Sequence, residues 1–208
     1  NNYFFQMSYL LEGIERIDVR HGDNRLHSVK IYDGDPTPIC NGDVCSARIP
    51  VKEITYKYDD ASKVIGAHIV YLDSSQGDVA SRDVTLSKME DGQYHIQTVV
   101  DLDKDGKVLV KSEFKYWTMA RWHQVYCFQE PCPEPWVEYI VDLDSISRTD
   151  ADGNVLSKIT NIGPAPIAGY VSHTTDGPGI INFYQATVVL PDGTEHKVAF
   201  KTLEELLL

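Results

Sequence analysis

The stretch Val99–Phe114 reads VVDLDKDGKVLVKSEF, and two architectures compete for it. Asp101, Asp103, Asp105 and Gly106 spell D-x-D-x-D-G, the opening of a calcium loop. The valines and leucines on either side describe two strands joined by a turn instead. A hairpin makes Lys104-Asp105-Gly106 a three-residue loop, a type I turn followed by a left-handed residue for which glycine is suited. Centred on Asp105, this loop opposes Leu102 with Val108, Val100 with Val110, Ile96 with Phe114 and Tyr94 with Tyr116. A two-residue loop would set Val100 against Lys111 and spoil the apolar face, because a one-residue slip moves every side chain to the other side.

The same x-Asp-Gly signal recurs at Glu90-Asp91-Gly92, Ala151-Asp152-Gly153 and Pro191-Asp192-Gly193. It opposes Leu86 with Ile96, Ala186 with Val198 and Tyr184 with Phe200, and, less cleanly, Thr149 with Val155 and Ser147 with Ser157. Residues 84–118 thus form a three-stranded meander, and a further pair runs from Trp122 to Phe128 and from Trp136 to Leu143. The nearly continuous apolar run Val64–Leu72 reads as a strand buried on both faces, with His68 as a core residue. Helical periodicity is confined to the tail Thr202–Leu206. The expectation is an all-β, antiparallel sandwich or barrel of about 10–12 strands built from consecutive hairpins, in one domain over residues 1–208. Gly163-Pro164-Ala165-Pro166 reads as a loop.

Composition narrows the function classes. The chain has 208 residues, 42% hydrophobic and 24% charged, as soluble globular proteins do. A formal net charge of −12 without a Lys/Arg cluster argues against nucleic acid and anionic membranes. No apolar run reaches the ~20 residues of a membrane helix. The chain opens on Asn1 rather than Met, which a cleaved signal peptide or simple trimming would explain.

The four cysteines fall in two matched pairs, Cys40-Asn-Gly-Asp-Val-Cys45 and Cys127-Phe-Gln-Glu-Pro-Cys132. Each short loop can bring two Cβ atoms into bonding range, and each disulfide would contribute about 2 kcal/mol. Two local disulfides are preferred to free thiols or a four-thiolate zinc site, and they place the chain in an oxidising compartment: secreted, periplasmic or at the cell surface. No N-x-S/T sequon occurs, which favours a prokaryotic export route.

Three features carry candidate chemistry. The turn explains Asp105 and Gly106 without a metal, so Asp101 and Asp103, sharing a face beside Asp105, are what remains of a Ca2+ site; the acid required at the ninth or twelfth loop position is missing, since Leu109 and Ser112 stand there. Second, all three tryptophans fall within Trp117–Trp136, and with Tyr126 they offer either one end of the core or a stacking platform for glycan rings or a partner's side chains. Third, Tyr3, Phe5, Met7, Tyr9 and Leu11 share one face of an N-terminal strand that completes its own sheet or adds to a neighbouring subunit. No G-x-S-x-G, P-loop, G-x-G-x-x-G or HExxH motif is present. The expectation is a non-catalytic structural or adhesive module; the alternatives are a carbohydrate- or ligand-binding β-domain using Trp117, Trp122, Tyr126 and Trp136, and a β-sandwich hydrolase or lyase.

Overall fold

The computed structural model describes residues 15–20, 25–32, 39–46, 49–124, 134–164, 184–200 and 203–207. The proposed N-terminal strand, Tyr126, Cys127 and Cys132 lie outside them.

Eleven strands form one antiparallel sheet: β1 (Glu15–Arg20), β2 (Leu26–Tyr32), β5 (Lys52–Tyr58), β6 (Val64–Tyr71), β7 (Ser81–Lys88), β8 (Tyr94–Leu102), β9 (Val108–His123), β10 (Trp136–Thr149), β11 (Val155–Pro164), β12 (Tyr184–Val189) and β13 (Glu195–Phe200). Their order in the sheet follows their order in the chain. A small hairpin of β3 (Ile39–Asn41) and β4 (Val44–Ser46) stands apart, and one turn of helix, α1 (Leu203–Leu206), follows β13. The all-β, hairpin-built expectation is borne out, and the sheet is not closed into a barrel. Gly163 and Pro164 end β11 rather than standing in a loop.

The loops explain the sequential order. At Asp103 the amide donates to the Lys107 carbonyl (2.9 Å) while the Gly106 amide donates to the Asp103 carbonyl (3.0 Å). The same pair of bonds closes the loops at Met89, Asp150 and Leu190. Gly92, Gly106, Gly153 and Gly193 all take the left-handed conformation, at φ 76–84°. A fifth copy, at Asp59, has no glycine, and Ser62 holds the left-handed position at φ 61°. An L-residue pays for that conformation with roughly 1–2 kcal/mol, partly offset by the freer unfolded chain that glycine would bring. Ser62→Gly is therefore expected to raise stability by about 0.5–1 kcal/mol in urea unfolding. An unchanged or lower midpoint would mean that Ser62 is not strained.

Three of these loops carry an aspartate on the residue that opens them, and it caps the turn. Asp150 Oδ1 accepts the amides of Asp152 (2.9 Å) and Asn154 (2.8 Å), and its Oδ2 accepts Asn154 Nδ2 (2.9 Å). The Asn154 side chain, then the loop amides, hold the Asp150 carboxyl below its ordinary 3.8. A depressed folded value means that Asp150 stabilises the fold above the unfolded value and loses that contribution as pH falls through the lower folded one. An Asp150→Asn variant is expected to show a shallower stability loss below about pH 4 in acid titrations of the melting temperature. A limb as steep as in the native chain would refute the cap.

The register departs from simple alternation just beyond the loops. Leu102 opposes Val108 as expected, but a bulge between Asp101 and Leu102 sets Asp101 against Val110 and Val100 against Lys111. The ladder between β8 and β9 stops at Thr98–Glu113, so the expected Ile96–Phe114 and Tyr94–Tyr116 pairs are not part of it. Similar bulges put Arg148, not Ser147, opposite Ser157 and interrupt β5–β6 and β7–β8. Leu86–Ile96, Thr149–Val155, Ala186–Val198 and Tyr184–Phe200 pair as expected. Each bulge adds local twist and bend, which curls a long sheet towards one face.

That face carries the core, with Val29, Ile31, Ile54, Ala67, Ile69, Val84, Ile96, Val99, Phe114, Ile146, Ile159 and Phe200 buried in one cluster. The chain turns back after β13, and Leu206 and Leu207 pack into it. The buried side chains of β6, Ala67, Ile69 and Tyr71, share one face. His68 lies on the half-exposed outer face rather than in the core.

Candidate functional site: an aromatic two-stranded arm

β9 and β10 outrun their neighbours. β8 follows β9 only to Glu113, and β11 follows β10 only to Ile146. Beyond those points, among the described residues, Lys115–His123 pairs with Trp136–Ser145 alone, from Lys115–Ser145 to His123–Trp136. A two-stranded ribbon is marginal in water unless something covers its apolar face.

Register sorts its side chains. On the outer face Trp117, Met119, Arg121 and His123 stand opposite Asp142, Ile140, Glu138 and Trp136. Tyr116, Thr118, Ala120 and Trp122 face Leu143, Val141, Tyr139 and Val137 on the side that continues the core. Trp117, Trp122 and Trp136 are 44%, 71% and 51% exposed, and Met119 and Tyr139 are exposed with them. The tryptophans are thus a surface feature, but not one platform, because Trp122 lies on the opposite face from Trp117 and Trp136. The latter two stand six register positions apart, about 20 Å along the strand.

The base of the arm is anchored and its far end is polar. The Tyr116 hydroxyl donates to the Ile96 carbonyl (2.6 Å), and Thr118 Oγ1 donates to Glu90 (3.3 Å). His123 stacks on Trp136, with ring centroids 4.0 Å apart and planes 8° from parallel. Its Nε2 lies 2.9 Å from Glu138 Oε2, which Arg121 also approaches at 3.8 Å. One face of Trp136 is therefore occupied, while guanidinium and carboxylate groups lie between Trp136 and Trp117.

The three aspartates of the calcium motif part company. Asp101 is 2% exposed and takes both Arg82 nitrogens, Nε to Oδ1 at 2.6 Å and Nη2 to Oδ2 at 3.1 Å. Asp103 Oδ1 accepts the amides of Asp105 (2.9 Å) and Lys107 (2.8 Å). Asp105 is exposed in the loop. The bulge at Leu102 is the physical reason: it turns Asp101 inward and away from Asp103. Among the described residues, no group of three or more His, Cys, Asp or Glu side chains is arranged to hold a metal ion. The sequence did carry a signal for the ion pair, because Arg82 shares the alternation of Val84 and Leu86, and a buried guanidinium requires a carboxylate.

Arg148 lies near this pair. Its charge is disfavoured by burial, supported by Asp101 and opposed by Arg82. Its Nη2 donates to the Leu207 carbonyl (2.7 Å), tying the returning tail to the sheet.

Two histidine–carboxylate pairs lie away from the arm. His68 Nδ1 is 3.0 Å from Asp83 Oδ1, which Lys57 also reaches at 3.3 Å. The buried His95 has its Nε2 2.7 Å from Asp91 Oδ2. The His68 ring has no described hydroxyl or thiol hydrogen-bonded to it, as an activated nucleophile requires.

Cys40 and Cys45 are register partners across β3 and β4, one step from the turn Gly42-Asp43. Gly42 has φ 66°, as a type II′ turn wants at its first central position. If Asn41 and Val44 close the turn, Cys40 and Cys45 fall at the following non-hydrogen-bonded site, with Cα atoms about 4.5 Å apart and within the disulfide range. No helix of the described residues is long and apolar enough to cross a membrane. No protein-family model matches the chain, and no curated protein matches it.

Proposed function

We propose that the chain is a non-catalytic, exported assembly or adhesion module whose working surface is the β9–β10 arm. The observation that carries this is the exposure of every tryptophan of the chain on a ribbon without a neighbouring strand among the described residues. Large aromatic side chains held rigidly on a strand are the residues that dominate binding energy at interfaces. The export half of the proposal is supported by the facing Cys40 and Cys45, which suit a disulfide.

A second reading is glycan binding. It is favoured by the outer face, where Trp117 and Trp136 offer ring surfaces and Arg121, Glu138 and Asp142 offer hydrogen bonds to hydroxyls. One experiment separates the two. Native protein and a Trp117→Ser/Trp122→Ser/Trp136→Ser variant are followed by sedimentation velocity and, with the single-tryptophan variants, by fluorescence against a glycan panel. Concentration-dependent association that the triple variant loses supports assembly, and quenching by one glycan class supports the second reading. If the triple variant matches native protein in association, and no native or single-tryptophan form responds to any glycan, the arm is not the working surface.

A further inference from the structure

We infer that the arm's open edge receives a strand from a second copy of this chain, and that the strand is the segment Tyr3–Leu11. The inference rests on the assembly reading above and names its partner and contact.

The acceptor is a strand edge. From Lys115 to His123 the side of β9 away from β10 has no ladder partner among the described residues, although Ile96 and Glu90 lie against Tyr116 and Thr118 at its base. An open edge of that length templates strand addition, in which main-chain hydrogen bonds supply affinity and alternate side chains supply specificity. The donor matches it in kind. Tyr3–Leu11 has as many residues as Lys115–His123, carries no charge, and sets Tyr3, Phe5, Met7, Tyr9 and Leu11 on one side. Laid along β9, that side meets Trp117 and Met119, between Lys115 and Arg121.

Topology argues that donor and acceptor belong to different copies. The ladders connect Asp18 with Val29, Ile54, Ile69, Arg82, Asp101 and Val110 in one row. Six strand spacings of about 4.8 Å, roughly 29 Å across the sheet, separate β1 from β9, whereas the three residues between Leu11 and Glu15 reach about 10 Å. The chain's own β1 edge is the competing acceptor, and with Glu15–Arg20 it is shorter than the donor. Donor and acceptor are different segments, so the contact is heterologous, and copies add head to tail into an open filament.

The test uses two full-length variants, a donor-impaired Phe5→Lys/Tyr9→Lys chain and an acceptor-impaired Trp117→Lys/Met119→Lys chain. In sedimentation velocity the native chain is expected to form a concentration-dependent series of oligomers. Each variant alone should associate more than about tenfold more weakly. Mixed in equal amounts, the variants should stop at a dimer, because each keeps one competent half. A peptide of sequence Asn2–Glu12 should shift the tryptophan fluorescence of the donor-impaired chain and leave the acceptor-impaired chain unchanged. Oligomers that survive Phe5→Lys/Tyr9→Lys would overturn the inference, as would a monomeric native chain that Phe5→Lys/Tyr9→Lys merely destabilises, which would assign the segment to its own β1 edge. Association lost in the acceptor-impaired chain but untouched by the donor substitutions sinks the inference and leaves the arm as the working surface. Association indifferent to both sets sinks the assembly reading as well.

Discussion

Asp101→Ala is expected to lower the unfolding free energy by about 3–5 kcal/mol, because it strands a buried guanidinium. Arg82 and Asp101 are each 2% exposed, and their bidentate contact lies on the inner face, with the Tyr71 ring 5.8 Å from the guanidinium carbon. Arg82 remains protonated in any fold, so loss of the carboxylate leaves a positive charge in a poorly solvated site, with Arg148 repelling it. The pair as a whole is worth much less than its rupture costs, since both ions gave up water to meet. Arg82→Met/Asp101→Leu should therefore be more stable than Asp101→Ala, and urea unfolding of native, single and double variants yields the coupling energy directly. A cost under about 1 kcal/mol for Asp101→Ala would place the pair in solvent and refute the inward register of β8.

The same residue shows how far the sequence could be read. Alternation from the loop Lys104-Asp105-Gly106 puts Leu102 and Val100 inside and leaves Asp101 and Asp103 outside, beside each other. The loop is as expected, but a bulge one residue later reverses the parity of β8 from Asp101 to Thr98, until a second bulge returns Ile96 to the inner face. A hydrophobic pattern reports the turn chemistry well because Gly is needed at one fixed position. It reports a bulge poorly, because a bulged strand still reads as apolar and polar residues in alternation on either side of the extra residue. The loop at Asp59 lacks the x-Asp-Gly signal for the converse reason: Ser62 occupies the glycine position, so the geometry is present without the chemical mark. The arm was half legible. Crowding of the tryptophans was visible, but their exposure depends on where β8 and β11 stop pairing, at Glu113 and Ile146, and strand length beyond a neighbour leaves no mark in periodicity.

Ile146→Ala is expected to cost about 2–5 kcal/mol, and Trp122→Ala on the same ribbon about 0.5 kcal/mol or less, although the tryptophan loses more atoms. Ile146 is 0% exposed, and it stands where the arm joins the sheet, two residues after the bulge at Asp144. Phe114 on β9 and Ile159 on β11 are its register partners, both buried, so removing its side chain opens a cavity bounded by three strands that are hydrogen-bonded in place. The ladders resist collapse into that space, which puts the expected cost in the upper part of the range for such truncations. Trp122 is 71% exposed, and its loss removes surface that water already reaches. Comparing the two variants by urea unfolding measures whether stability resides in the concave face while the arm is free for contact with something else. Equal costs would mean that Trp122 is packed in solution and that the arm is part of the core. The expected inequality makes tryptophan substitutions on the arm clean probes of binding, because a variant that folds with native stability and fails to associate has lost only its contact surface.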